Sequence, residues 1–301
     1  MDGTQRKEAT HAQFLVGLVG VFALTLPASA EPDWQAVAKA LGREGGLQQG
    51  GVYRVGLPRT DLKVRLDGVD LKAGFALGSW LAFMPMGDEA MVMGDLVLTG
   101  EEVNPVMKKF LDDGIEITAL HNHLLRAEPA TMYMHISAHG DPVKLAAALH
   151  EGLQLSGTPL GPAPPPSPVS LDLDTAGLDS ALGFKGKANG AVYQFSIPRA
   201  DAVREEGMVI PEAMGSAIGI NFQPTGGGRA AITGDLVLIA SEVNPVLRAL
   251  RMNGIEVTAV HNHMLDDEPR IFFMHFWGND DAQKLAKGLR AALDKIAVKK
   301  S

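Results

Sequence analysis

One segment of this chain is written twice. MGDLVLTGEEVNPVMKKFLDDGIEITALHNHLLRAEP, beginning at Met93, returns as TGDLVLIASEVNPVLRALRMNGIEVTAVHNHMLDDEP, beginning at Thr233, and the two stay in step without a gap from Gly94/Gly234 to Asp141/Asp281. The repeat favours a two-part build and supplies an internal control, because a residue kept in both copies has survived drift that altered its neighbours. The polar survivors include Asp95/Asp235, Asn104/Asn244, His121/His261, Asn122/Asn262, His123/His263, Glu128/Glu268 and His135/His275.

With 46% hydrophobic and 21% charged residues, the 301-residue chain has the composition of a globular protein able to bury a core. Its net charge is −8, and no basic cluster stands apart from Lys299-Lys300, so nucleic acid is not an expected partner. Arg6 and Lys7, the apolar stretch Phe14 to Leu26 and the small residues Ala28-Ser29-Ala30 read as a secretion signal. The apolar run is about 13 residues, short of the roughly 20 that span hydrocarbon, so no membrane span is expected after cleavage. The expected location is periplasmic or secreted. Without a single cysteine, the exported fold must rest on core packing alone.

These signals divide the chain into a signal peptide (1–30), repeat unit one (31–155), a Pro-rich linker (156–170) and repeat unit two (171–301). In the linker, SGTPLGPAPPPSPVS, proline fixes φ and removes backbone donors, which gives an extended, semi-rigid spacer. VYRVGLPR and VYQFSIPR alternate as half-buried strands do. KVRLDGVDL hairpins through Asp67-Gly68, a signal that unit two lacks. Two further strands precede EEVNPVMKKFLDDG, a helix that Gly114 ends and that Asn104, or Asn244 in unit two, caps at its start. A second strand pair and a closing amphipathic helix follow. The fold class is α+β: tandem duplicated units, each a mostly antiparallel sheet with two helices.

Residues i and i+2 of a strand share a face, so His121 and His123 point the same way. A hairpin centred on Glu128 sets His121 opposite His135 and His123 opposite Tyr133, and unit two repeats the set with His261, His263, His275 and Phe273. Opposed Cβ atoms about 4.5–5.5 Å apart let two imidazoles reach one ion. Three imidazoles on one face suit an open site for a divalent transition metal such as zinc, with His121, His123 and His135 as ligands in unit one and His261, His263 and His275 in unit two. Glu128 and Glu268 are the candidate bases or fourth ligands. Asp95 and Asp235 read as strand-start residues, with a role in orienting a histidine as the alternative. Arg59 and Arg199 read as ion-pair partners of Asp61 and Asp201. The letters HNH are not the nuclease motif of that name, whose residues are spread over a longer unit that serves nucleic acid.

GDLVL, EVNPV, GIE(I/V)TA(L/V)HNH and the following EP with MH resemble the LppY/LpqO family of exported proteins, over nearly all of the expected mature chain and in two copies. The resemblance implies an exported protein of unestablished activity and transfers no catalytic residue. The leading expectation is therefore a pair of His-rich metal sites that hydrolyse a small-molecule or cell-envelope ligand, with metal-activated water as nucleophile. Two other readings stay open: a non-catalytic ligand-binding or metal-carrying module, and a structural envelope protein. No nucleophile elbow, phosphate loop or dinucleotide fingerprint is present in the sequence. Oligomeric state is not legible.

Overall fold

The computed structural model describes residues 1–3, 31–162 and 170–300. The secretion signal read at the N-terminus and residues 163–169 of the linker fall outside the described residues, save for residues 1–3. Unit one runs α1 (Trp34–Leu41), β1 (Gly46–Leu47), β2 (Tyr53–Pro58), β3 (Arg65–Leu66), β4 (Val69–Asp70), α2 (Ala73–Ala76), β5 (Gly78–Met86), β6 (Glu89–Thr99), α3 (Gly100–Asp112), β7 (Glu116–His121), β8 (Thr131–Gly140) and α4 (Pro142–Leu153). Unit two runs α5 (Thr175–Leu182), β9 (Lys187–Asn189), β10 (Val192–Ile197), β11 (Arg204–Glu205), β12 (Met208–Val209), a 3-10 turn (Glu212–Met214), β13 (Ile218–Gly226), β14 (Arg229–Ile239), α6 (Ala240–Met252), β15 (Glu256–His261), β16 (Asp267–Glu268), β17 (Ile271–Asp281) and α7 (Ala282–Leu293). Each unit carries one six-stranded antiparallel sheet, in the order β1-β2-β5-β6-β8-β7 and, correspondingly, β9-β10-β13-β14-β17-β15. The fold is the expected α+β duplication.

Local chemistry explains the element ends. Val103, Val106 and Phe110 put the buried stripe of α3 on one side, and the positive φ of Gly114 ends the turn that follows it. The helix start differs from expectation. Helices α3 and α6 begin at Gly100 and Ala240, and the side chains of Glu102 and Glu242 accept from the backbone N–H of Thr99 and Ile239. Asn104 and Asn244 are therefore exposed residues inside the helices, not caps. A longer carboxylate reaches back one turn to the orphan donor, which an asparagine already inside the helix does not do. A short helix that the sequence reading did not list precedes each sheet, α1 capped by Asp33 and α5 by Asp174, each closed by a left-handed glycine. Unit two also forms the small hairpin, β11 with β12, with Glu206-Gly207 at positive φ where unit one has Asp67-Gly68.

In unit one Leu81, Val92, Leu96 and Ile136 pack with Val37, Val106, Phe110 and Leu149 of the helices. The alternate residues of the same strands, among them Ala82, Met91 and Met93, belong to a core shared with unit two. Period-two alternation thus gives each sheet a helix-covered face and a face turned to the other sheet, producing layers in the order helices, sheet, sheet, helices. Polar contacts pin the two units together. Gln194 and Asn221 donate to the carbonyls of Gly74 and Phe75 at 2.9 and 3.0 Å, and Trp277 donates to Asp67 at 2.9 Å. Arg126 bridges Asp67 and Glu256. Among the described residues no helix is long and apolar enough to cross a membrane.

Candidate metal centre

The histidine hairpin keeps the expected face but not the expected register. His121 lies opposite Tyr133 and Ala119 opposite His135, two residues away from a hairpin centred on Glu128, with a bulge between Ile117 and Ala119. The connection is not a symmetric turn. Asn122 folds it back by accepting from the N–H of Leu124 at 2.7 Å, and Glu128 is drawn into a backbone bridge with Arg65. A slip of two preserves side-chain parity, so the histidines stay together. His123 lies just beyond the end of β7 and stacks on Tyr133, with ring centroids 3.4 Å apart. Unit two repeats this with His261 opposite Phe273 and His263 stacked on Phe273 at 3.5 Å.

Because both histidine faces are the inner faces, the two expected sites become one. His121 stacks on His261 with centroids 3.5 Å apart, His123 on His275 at 3.5 Å, and His135 on His263 at 3.7 Å. The last two are the same contact seen from opposite units, so an approximate two-fold axis passes between His121 and His261. Asp95 and Asp235 complete the centre. They lie within β6 and β14, directly across the ladder from His135 and His275, with a carboxylate oxygen 3.7 Å from each Nε2. Asp95 and Asp235, expected at a strand start, are mid-strand, and the signal that could have marked them was their recurrence in both copies, in a strand that pairs with the second histidine strand.

Three sets of ligand atoms converge within 4.8 Å: His121, His123, His261 and His263 at the centre, Asp95, His123 and His135 on one flank, and Asp235, His263 and His275 on the other. Metal–nitrogen bonds near 2.0–2.1 Å cap ligand separation at roughly 4.2 Å, so small side-chain rotations close any of the three sets on an ion. The hydrogen-bond inventory fits that use. The Nε2 atoms of all six histidines, Nδ1 of His121 and one oxygen each of Asp95 and Asp235 are buried without a protein partner. Leaving a buried polar atom unpaired costs about 1–3 kcal/mol. His275 is oriented from behind, its Nδ1 lying 2.8 Å from the carbonyl of Gly234, which fixes Nε2 as the lone-pair nitrogen.

The electrostatics agree. Burial, and then the facing His261, lowers His121 to about 3, while burial lowers His261 to about 4. His123, His135, His263 and His275 are held well below their ordinary value, first by burial and then by neighbouring imidazoles. Burial raises Asp95 to about 7 against the pull of Arg54, and burial, with Asp95 nearby, raises Asp235 well above the carboxylate range. Neutral imidazoles and cation-hungry carboxylates are the donor set a transition metal takes.

Glu128 and Glu268 do not join the centre. Both are exposed in the hairpin connections and belong to none of the three ligand sets. Arg59 and Arg199, read as ion-pair partners, do pair with Asp61 and Asp201, and each also pairs with Glu102 or Glu242. Beside His135 and His263 lies a cavity of about 10 Å³, room for about one water, lined by Trp80, Met214, Gly215 and Phe273.

Fold and centre together define a duplicated α+β protein whose two units meet at a buried cluster of six histidines and two aspartates. Residues 35–155 and 176–295 each match the family described as Domain of Unknown Function (DUF1259), and the chain belongs to that family, in two tandem copies. No curated protein matches. Among solved structures, the chain is similar to a trimeric bacterial microcompartment shell protein, PduB, at 12% identity and a TM-score of 0.21, over 84% of this chain and 92% of that one. It is similar also to EtuB from Clostridium kluyveri, at 9% identity and a TM-score of 0.20, over 84% and 91%.

Proposed function

We propose that this protein binds a divalent transition metal between its two units and holds it as a non-hydrolytic metal-binding or metal-carrying protein. The observation that carries the reading is the convergence of six buried, unpartnered Nε2 atoms with two buried carboxylate oxygens at the unit interface. His121, His123, His135, His261, His263 and His275 are the imidazole ligands, and Asp95 and Asp235 take the carboxylate role that the sequence pattern suggested for Glu128 and Glu268. Zinc suits the mixed nitrogen and oxygen set.

Holding is favoured over hydrolysis by two features. Both carboxylates at the centre, Asp95 and Asp235, serve as ligands and the exposed Glu128 and Glu268 stand outside it, which leaves no separate base, and the cavity beside His135 and His263 admits about one water, not a large substrate. The reading includes export to the periplasm or beyond after cleavage near Glu31, two units over 31–155 and 171–301 joined by a Pro-rich linker, and kinship with the LppY/LpqO proteins within the wider family. Elemental mass spectrometry on untagged protein tests it. Near-stoichiometric zinc, manganese, iron or copper that disappears in a His123→Ala/His263→Ala variant is expected; a wild type that carries no metal and takes up none overturns the reading.

A further inference from the structure

The two flanks of the centre are built differently, although the duplication starts them from one pattern. In unit one, Trp80 lies across the ladder from Asp95, and in unit two the corresponding partner of Asp235 is Gly219. The guanidinium of Arg54 lies 4.2 Å above the Trp80 ring and donates to the carbonyl of Ala213 in unit two, so the pair roofs the Asp95 flank. Unit two has Gln194 at the place of Arg54, and that amide is used on Gly74 and Asn221. A Cβ built on Gly219 meets nothing within 4 Å. The Asp235 side chain is accordingly 28% exposed, against 14% for Asp95.

The charges and the ligand geometry differ in the same direction. A cation beside Asp95 is repelled by Arg54, and among the described residues no such charge acts on Asp235. Asp235 lies within 4.0 Å of both its histidines, with one oxygen 3.7 Å from Nε2 of His275 and the other 4.0 Å from Nε2 of His263. Asp95 comes that close to His135 alone of its two. His275 is also held from behind by the Gly234 carbonyl. A ligand ring fixed by a second hydrogen bond binds metal more tightly than one free to turn.

We propose that Asp235, His263 and His275 form the first and tighter metal position, with a coordination place open toward Gly219 that accepts water or a small anion, and that Asp95, His123 and His135 form a second, weaker and enclosed position. This rests on the metal-binding reading above. Three protein ligands with a free fourth place are what an exchange-competent site requires.

Cobalt(II), a spectroscopic stand-in for zinc, tests the assignment in the full chain by calorimetric titration, native mass spectrometry and the visible spectrum with and without azide. Wild type is expected to take one tight and one weaker ion, with azide shifting the spectrum of the first. Asp235→Asn is expected to weaken the first ion by about 10-fold or more and to abolish the azide response, whereas Asp95→Asn keeps both and loses the second ion. Should Asp235→Asn fail to fold, Gly219→Trp serves in its place: it copies the roof of the other flank, keeps the first ion, suppresses the azide response and slows its release to a chelator. First-ion binding that depends on Asp95 and not on Asp235, or a single ion indifferent to both and so seated among the four central histidines, overturns the proposal. A wild type that binds no cobalt overturns the metal-binding reading as well.

Discussion

Two buried polar clusters are kept in both halves of this molecule, and they differ in whether the protein completes them. In the arginine cluster of unit one, all five donors of the Arg59 guanidinium are used, on Asp61, on Glu102 and on the carbonyl of Val97, and the unit-two copy leaves only Nε of Arg199 unpaired, with Asp201, Glu242 and the carbonyl of Val237 taking its other nitrogens. In the histidine cluster, Nε2 of every ring is left without a protein partner. Both survived duplication, so survival alone does not separate architecture from function. Completeness does: a satisfied buried network tightens the fold, and an unsatisfied one marks a place for something else to bind.

The sharpest way to break this contrast is to mutate each cluster and read both metal and stability. His123→Ala/His263→Ala is expected to remove essentially all bound metal while leaving the metal-free protein about as stable as wild type, because it deletes unpaired buried nitrogens. Arg59→Met is expected to do the reverse, costing about 3 kcal/mol in denaturant unfolding by stranding the half-buried carboxylate of Glu102, with metal per folded molecule unchanged. If the histidine pair instead proves to hold the fold and leaves metal content alone, the contrast collapses.

Metal itself is expected to stabilise on the same scale. At about 100-fold excess over Kd, zinc adds about 2.7 kcal/mol to the wild type and nothing to the histidine double variant, as thermal melts with and without chelator would show. Acidification of the metal-free protein is the next smaller lever. The six histidines have lowered pKa values in the folded state, with His121 near 3 and His261 near 4, so between pH 6.5 and 4 the unfolded chain binds their protons and the folded chain does not. Asp95 and Asp235 oppose this, because their raised values leave protons on the folded state alone over much of that window. Six groups outweigh two, and stability is expected to fall as pH drops from 6.5 to 4. A flat denaturant midpoint over that range would contradict burial of neutral imidazoles. The smallest effect is assigned to Glu128→Gln, within about 0.5 kcal/mol and without change in metal content, since an exposed turn carboxylate belongs to neither cluster.

Much of the architecture was legible because it is local. Alternation in VYRVGLPR, the helical spacing of Val103, Val106 and Phe110 and the turn at Asp67-Gly68 each carry a period or a steric demand that sequence displays directly. The shared face of His121, His123 and His135 was legible too, since parity survives a slip of two residues. The register itself was not, because the bulge at Thr118 and the bridge from Glu128 to Arg65 depend on a hairpin more than sixty residues upstream. Asp95 was misplaced at a strand start because a Gly-Asp pair looks like a turn until its neighbours β5 and β8 are known. Least legible was the merging of two sites into one. Stacking of His121 on His261 requires knowing that the sheets meet face to face, and no periodicity within one unit reports what lies opposite it.

The meeting of His121 with His261 on the approximate two-fold axis is the arrangement of an isologous homodimer, in which a residue touches its own counterpart. Held as two separate chains, such a centre would assemble only as fast and as fully as subunit concentration allowed, and every substitution would strike both flanks together. Joined in one polypeptide, the halves face each other at a local concentration fixed by the connection between them, independent of dilution. A tryptophan can then roof one carboxylate while a glycine leaves the other bare, an inequality that no symmetric dimer of identical chains could encode in its sequence.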